Sequence, residues 1–304
     1  MYTKCKENNL HVRKEDIRLI LSLLDPSGVE HRKARCHYFS KGQNYIWHFD
    51  SYDKLKPYGI CINGCIDGFS RKIIWLNAYK TSSDPKVIGG YYIETVDDLS
   101  GYSRIVRGDC GTENVHVRDF QRFLRRNNIQ QDFNTDSYLE VASTANQRIE
   151  SWWGFLRKEC MEFFISLFVD VKDRGLFDGG FLDKNLIRFC FMGIIQDELD
   201  KTAHVWDAHV IRPSKIDRVP SGRPNIMYLF PELYRAENYL LLVESGDLQL
   251  CKTECTFQSS IPCDSDVYDI CNTVMAETHF DLPNDSYQAI DLYLHLRNEI
   301  LTSL

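Results

Sequence analysis

Three carboxylates stand where metal-dependent phosphoryl chemistry would need them. Asp50 ends the β-prone run Tyr45-Ile46-Trp47-His48-Phe49-Asp50, and Asp109 follows Arg104-Ile105-Val106-Arg107 and Gly108. Glu150 lies in the clearest amphipathic helix of the chain, Thr144 to Cys160. Between the first two acids lie 58 residues, and between the second and third 40. Carboxylates brought close together repel and raise one another's pKa unless a cation sits among them. An all-oxygen donor set suits Mg²⁺ or Mn²⁺, and two such ions can clamp the attacking and leaving oxygens of an in-line displacement at phosphorus. Gly154 lies one turn beyond Glu150 and leaves room beside it; Asn146 lies one turn before. Trp152 and Trp153 anchor the helix from the other side. Spacing alone leaves the ordinary alternative open: there are 43 acids in the chain, and an acid after a strand is often a turn or cap residue. Asp53 and Asp67 read as turn residues, His48 as structural, and Trp152 and Trp153 as core.

The elements needed to position these acids are legible in the pattern. Short β runs fall at 45–50, 58–67 and 72–79, with Asp67-Gly68 as the tight turn between the last two. Asp84-Pro85 starts a helix through about Leu99, with Val87, Ile88, Tyr91, Tyr92 and Val96 as its apolar face. A fourth strand covers 104–107, a helix runs from Glu113 to Arg126, and a weak fifth strand is expected near 131–134. In the helix from Thr144, Thr144 and Gln147 fit a capping box, and Ile149, Trp152, Trp153, Leu156 and Cys160 form one stripe. Further helices are expected across 163–171, 185–199 and 288–301, and a strand at 240–243. The order βββ-α-β-α-(β)-α implies an α+β layer fold, a mixed sheet with helices on its faces. The expected division is a helical lead-in at 1–40, a core at 41–220 and an acidic C-terminal accessory region at 221–304.

Composition narrows the class. The chain has 304 residues, 43% hydrophobic and 26% charged, as in a soluble globular protein. No apolar stretch approaches the roughly eighteen residues of a membrane span. The polar start, Met1-Tyr2-Thr3-Lys4-Cys5-Lys6, lacks the apolar run of a secretory signal, so an intracellular protein is expected. Net charge is −7, acidic for a nucleic-acid enzyme. Positions 221–304 hold 13 acidic and 4 basic residues, leaving 30 acidic and 32 basic before them, so the deficit lies in the tail. Eleven cysteines are spaced irregularly. Cys251, Cys255, Cys263 and Cys271 lack a CxxC pair and read as small core residues, with zinc as the lesser alternative.

Several short blocks around the three acids resemble the integrase core family, which includes retroviral integrases and DDE transposases. Trp47-His48-Phe49-Asp50 resembles the first-acid block, and Ile66-Asp67-Gly68-Phe69-Ser70-Arg71 the hairpin after it. Asp109-Cys110-Gly111-Thr112-Glu113-Asn114 resembles the second-acid block, and Thr144-Ala145-Asn146-Gln147-Arg148-Ile149-Glu150-Ser151 the block with the catalytic glutamate. Trp206-Asp207-Ala208-His209-Val210-Ile211-Arg212-Pro213 resembles the segment that ends many transposase cores. The likeness spans about residues 40–220 and looks most like the transposon-derived integrase core proteins of animals. His11, His31, Cys36 and His37 do not reproduce the spacing of the retroviral zinc module, and the acidic tail is unlike a basic DNA-binding domain.

The resemblance implies an RNase H-like five-stranded sheet with Asp50, Asp109 and Glu150 as catalytic metal ligands for two Mg²⁺ or Mn²⁺ ions. It implies cleavage and joining of DNA strands in DNA integration, a homo-oligomer when active, no membrane, no small-molecule cofactor and a nuclear site. Arg148, Arg157 and Lys158, flanking the glutamate, are then expected to meet DNA. Arg118 and Arg122, with Arg125 and Arg126, fall at helical spacing after Asp109 and read either as phosphate contacts or as a solvated helix face. Arg212, Lys215, Arg218 and Arg223 read as a backbone-tracking run or a plain linker. Two readings compete with an active recombinase. One is a domesticated, catalytically silent module that binds nucleic acid or protein; the other is a nuclease that only hydrolyses.

Overall fold

The computed structural model describes residues 20, 23, 24, 40–126, 136–141, 146–213 and 220–303. Strands β1 (Ile46–Tyr52), β2 (Cys61–Asp67) and β3 (Ile73–Tyr79) run antiparallel in sequence. A two-residue strand β4 (Gly101–Tyr102) precedes β5 (Ile105–Gly108). β5 joins the free side of β1 in parallel, and β6 (Tyr138–Glu140) joins β5 in parallel. The order β3-β2-β1-β5-β6 is the mixed five-stranded sheet expected, an RNase H-like arrangement. The fifth strand lies at 138–140; the 131–134 segment assigned to it from sequence is outside the described residues.

Alternation along β1 decides what each face holds. Trp47 and Phe49 go to one side with Cys65, Trp75, Tyr138 and the apolar faces of α1 (Pro85–Asp98) and α2 (Val115–Arg125). Tyr52 goes to the other side with Ile62, Ile66 and the helices that follow β6. His48 and Asp50 share that second side by the same alternation. Gly108 lets the centre close: a Cβ there would sit 2.6 Å from the Phe49 ring and from the Tyr138 hydroxyl.

The β2–β3 connection is longer than the expected tight turn. The buried carboxylate of Asp67 organises it, accepting hydrogen bonds from the backbone N–H groups of Asn44 (2.9 Å), Phe69 (3.2 Å) and Ser70 (2.7 Å) and from the Ser70 hydroxyl (2.7 Å). Burial raises its pKa to about 6. Asp67 is thus the turn residue expected. α1 begins as its sequence demands, with Pro85 in its first turn and Asp84 accepting from the Lys86 N–H at 2.9 Å.

α3 (Gln147–Leu156) does not end near Cys160. A π-helical turn, Arg157–Met161, carries it directly into α4 (Glu162–Asp173). The buried residues explain this: Trp152, Leu156, Cys160, Phe164 and Phe168 recur every four residues, and each such step overshoots a 3.6-residue turn by about 40°. A wider turn resets the stripe onto the core.

α5 (Phe181–Ala208) is a 28-residue helix across that face, longer than the expected 185–199. Its C-terminal end locks the β2–β3 loop. Asp207 accepts from Lys72 Nζ at 2.7 Å and from the Ile73 N–H at 3.1 Å, and the Trp206 indole N–H donates to the Arg71 carbonyl at 2.7 Å.

After α6 (Pro224–Leu229), β7 (Leu241–Leu242) pairs with β4. α7 (Ser245–Thr253) supplies Leu248 and Cys251 to the α1 side of the sheet. α8 (Ser265–Thr278) and α9 (Ser286–Ser303) supply Cys263-adjacent packing, Cys271, Leu292, Tyr293 and Leu296 to the α5 side. Residues 220–304 therefore share one compact unit with 40–213, and the acidic region covers the core's own helices. Cys251 lies in one core cluster while Cys263 and Cys271 lie in the other, so the four late cysteines do not form a zinc site. No helix among the described residues is long and apolar enough to cross a membrane. The helical lead-in expected at 1–40 lies almost wholly outside the described residues.

Candidate active site

β1 and β5 bring the first two acids together. Their parallel register pairs Ile46 with Ile105, Trp47 with Val106 and His48 with Arg107. Continued two residues, it sets Asp50 alongside Asp109, on the same face of neighbouring strands. Both side chains are half-buried.

Each acid has fixed donors. Asp50 accepts from the Trp153 indole N–H at 3.1 Å and from the Ser51 N–H at 2.8 Å. Burial is the main cause that raises its pKa, to about 6. Those two hydrogen bonds oppose the rise, and the negative charges of Asp109 and Glu150 add to it. Asp109 is held by the amide of Asn114, from the short 3₁₀ turn that leads into α2.

Glu150 projects from the exposed side of the first turn of α3. A Cβ built on Gly154 meets nothing within 4 Å, so the space beyond Glu150 is open. Asp50 thus lies close enough to both Asp109 and Glu150 to feel their negative charge. Among the described residues, no group of three or more His, Cys, Asp or Glu side chains is gathered closely enough to hold a metal ion as it stands.

Asn146 ties the helix that bears Glu150 to the strand that bears Asp50. Its amide Nδ2 donates to the Phe49 carbonyl at 3.0 Å, and its Oδ1 lies 2.8 Å from Nδ1 of His48. Because Oδ1 can only accept, His48 Nδ1 carries the proton. Both residues are buried. His48 is held neutral, its pKa lowered to about 3 by burial first and then by the positive charges of Arg107 and Arg148, against the opposing hydrogen bond to Asn146. Its structural role is the one expected. Asn146 is the N-cap, yet its side chain makes no cap bond; the amide is committed to His48 and Phe49. Thr144, the expected capping residue, lies outside the described residues.

Trp153 is more than the core anchor expected from sequence. Its ring lies over Gly64, the cross-strand partner of Asp50: a Cβ on Gly64 would be 2.8 Å from the Trp153 ring. Tyr52 packs on the same ring, centroids 5.4 Å apart. The absence of a side chain at Gly64 is what lets the indole reach Asp50. Asn114 and Trp153 both stand in segments with recognisable sequence patterns, but neither hydrogen bond was legible there.

The expected DNA-facing cations are placed as follows. Arg148 is half-buried in the first turn of α3, where its charge acts on His48. Arg157 and Lys158 lie in the π turn; Arg157 pairs with Glu162 at 2.7 Å, and Lys158, 83% exposed, lies 3.9 Å from Glu159. On α2, Arg118 holds Asp119 and Glu140 at 3.0 and 3.2 Å, and Arg122 lies 3.6 Å from Asp136. Arg125 is buried and donates to the Arg104 carbonyl at 2.6 Å, while Arg126 pairs with Asp247 of α7 at 2.7 Å. The four α2 arginines do not form one solvated basic face. Arg212 is exposed; Lys215 and Arg218 lie outside the described residues.

Comparison with protein families finds a match to the integrase core domain over residues 38–222. The chain belongs to the integrase core domain family. A search of curated proteins found no match.

Proposed function

We propose that the chain is a DDE-type polynucleotidyl transferase that cleaves and joins DNA strands, with Asp50, Asp109 and Glu150 as its metal-binding catalytic acids. One observation carries this: the β1–β5 register, continued two residues, sets Asp50 beside Asp109, and the Asp50 carboxyl is raised in pKa chiefly by burial, with the charges of Asp109 and Glu150 adding to it. Membership of the integrase core family supports the reaction class.

The donor set fits Mg²⁺ or Mn²⁺. It is all oxygen, mutually repulsive and open to solvent at Glu150 and Gly154. When bound, two divalent ions would neutralise charge at the phosphorus and on the attacking and departing oxygens. The chain's own residues do the positioning. Trp153 and the Ser51 N–H orient Asp50, Asn114 orients Asp109, and Asn146 holds the start of the Glu150 helix against β1. In cleavage, a water oxygen forms a bond to phosphorus as the bond to the 3′ oxygen breaks. In joining, a 3′-hydroxyl oxygen attacks a second phosphodiester, and the displaced 3′ oxygen leaves as a hydroxyl. Neither step needs a covalent enzyme intermediate; catalysis rests on alignment and charge neutralisation. DNA as partner, a homo-oligomer when active and a nuclear location follow from the same reading.

A specific observation favours a second reading, a catalytically silent module that keeps the fold and binds nucleic acid or protein. Positions 1–220 hold 32 basic and 30 acidic residues and positions 221–304 hold 13 acidic and 4 basic, a weak charge balance for an enzyme that works on DNA. Nicking and strand transfer on labelled plasmid in Mg²⁺ or Mn²⁺, with wild type beside Glu150→Gln, decide between them. Activity lost in the variant supports the transferase. Nicking without joining supports a hydrolytic nuclease. Folded protein with no activity on any DNA tested supports the silent module.

A further inference from the structure

Arg107 brings a cation onto the same sheet face as the three acids. It pairs with His48 in the β1–β5 register, two residues before Asp109, and strand alternation sends positions 107 and 109 to one side. The side chain is half-buried, and its Nε is shut away from solvent with no hydrogen-bond partner. Its charge reaches buried His48 and helps keep that ring neutral.

Of the surrounding cations, Arg148 lies half-buried at the start of α3, where its charge also acts on His48. Arg118, Arg122, Arg126, Arg157 and Lys158 each face a carboxylate, whereas no ion pair among the described residues includes Arg107. The acids nearest to it by register are already engaged: Asp50 accepts from Trp153 and Ser51, and Asp109 from Asn114. Glu140 pairs with Gly108, so it lies on the other face of the sheet, and it is held by Arg118. A guanidinium drawn partly out of water without an acceptor is costly. Its planar fork of donors matches two oxygens of one phosphate.

We infer that Arg107 forms a phosphate subsite beside the three carboxylates, donating to the non-bridging oxygens of a backbone phosphodiester of the DNA strand. The inference rests on the proposal that this face binds DNA. It gives Arg107 a positioning role: the backbone is held in register with the acids by a contact that carries no sequence information.

The test is DNA binding by fluorescence anisotropy over a range of KCl concentrations, with Glu150→Gln as the parent so that no strand is cut. In that parent, Arg107→Gln is expected to lower the slope of log affinity against log salt by about 0.9 on duplex, the value of one phosphate contact. Affinity should fall about tenfold. Arg107→Lys should keep the slope while losing part of the affinity, because charge remains and the fork is gone. Thermal unfolding should be unchanged in both. A scan of duplexes carrying one neutral methylphosphonate at a time should find a position that weakens the parent and leaves Arg107→Gln unaffected. A salt slope equal in parent and both variants, with no such position, overturns the subsite and leaves the DNA-binding proposal standing. Altered unfolding with an unaltered slope makes Arg107 structural and overturns it too. A folded parent that binds no DNA at any salt concentration overturns both.

Discussion

The indole N–H of Trp153 donates to Oδ2 of Asp50 at 3.1 Å, and the same ring closes over Gly64, the residue opposite Asp50 on β2. One aromatic side chain therefore fixes the first acid from a helix while filling the gap that glycine leaves in the sheet. A methyl group at position 64 would meet the Trp153 ring at 2.8 Å and Leu76 at 3.0 Å. Gly64→Ala should therefore cost about 1–3 kcal/mol through overpacking. Trp153→Phe keeps most of the ring and removes the donor, so it should cost about 1 kcal/mol. Both should weaken Mn²⁺ binding measured by calorimetry. A Gly64→Ala protein with wild-type urea midpoint and Mn²⁺ affinity would show that the ring does not depend on that gap.

The Asn146–His48 pair makes a second prediction, on pH and stability. Folded His48 has its pKa lowered from 6.5 to about 3, chiefly by burial. In the unfolded chain it takes up a proton near 6.5, so acidification favours unfolding. The stabilising contribution is complete above pH 6.5 and is lost as pH falls toward 3. Over that whole range it is on the order of 4–5 kcal/mol. Asp50 and Asp67, both raised to about 6, act in the opposite sense between about pH 4 and 6, so the comparison must be made against a variant. His48→Asn leaves an amide able to donate toward Asn146. Metal-free unfolding midpoints followed from pH 8 to 4 should converge as pH falls, the wild type losing more. Parallel curves would contradict a neutral buried imidazole.

What the sequence revealed, and what it withheld, follows from the range of the forces involved. β1, β2, β3, α1 and β5 were legible because period-two alternation, Asp84-Pro85 and Gly108-Asp109 are local signals. Asp67 was legible as a turn acid for the same reason. The continuity of α3 and α4 was not, because a run of apolar residues four apart resembles two helices until one core must receive it. The bonds from Asn146 to His48 and from Trp153 to Asp50 span 98 and 103 residues of sequence. They depend on which strands neighbour which helix, a matter of tertiary register. Of the C-terminal helices, α9 was legible, expected at 288–301 and found at Ser286–Ser303, whereas α7 and α8 were not, although Cys251 and Cys271 are buried in the core.

Asp207 offers a test of how the end of α5 secures the hairpin. Its carboxylate serves both Lys72 Nζ and the Ile73 N–H, and it is 9% exposed. Asp207→Ala leaves a strand-edge N–H without its acceptor and a lysine without its partner. The expected loss is about 2–3 kcal/mol, mostly from the orphaned N–H. Hydrogen exchange should quicken at Ile73 before it does in β1. Loss of stability with no local change at Ile73 would place the effect elsewhere in α5.

The surface cations make the last prediction, because their present partners do not decide their function. Arg118, Arg122, Arg157 and Lys158 face carboxylates, but the pairs are largely exposed. Such pairs contribute about 0–1 kcal/mol, so DNA phosphates can displace the acids at little cost. If these four residues meet DNA, each alanine variant should leave the unfolding midpoint nearly unchanged and lower the salt slope of DNA affinity by about 0.9. Removing an acid should do the reverse: Glu162→Gln frees Arg157 and should tighten binding at low salt. Arg157 and Lys158, in the π turn just past Glu150, should show this more strongly than Arg118 and Arg122 on α2 if the strand follows the helix that bears Glu150. Equal slopes in wild type and all four variants would assign these pairs to the protein's own surface and place the DNA path along another side of the sheet.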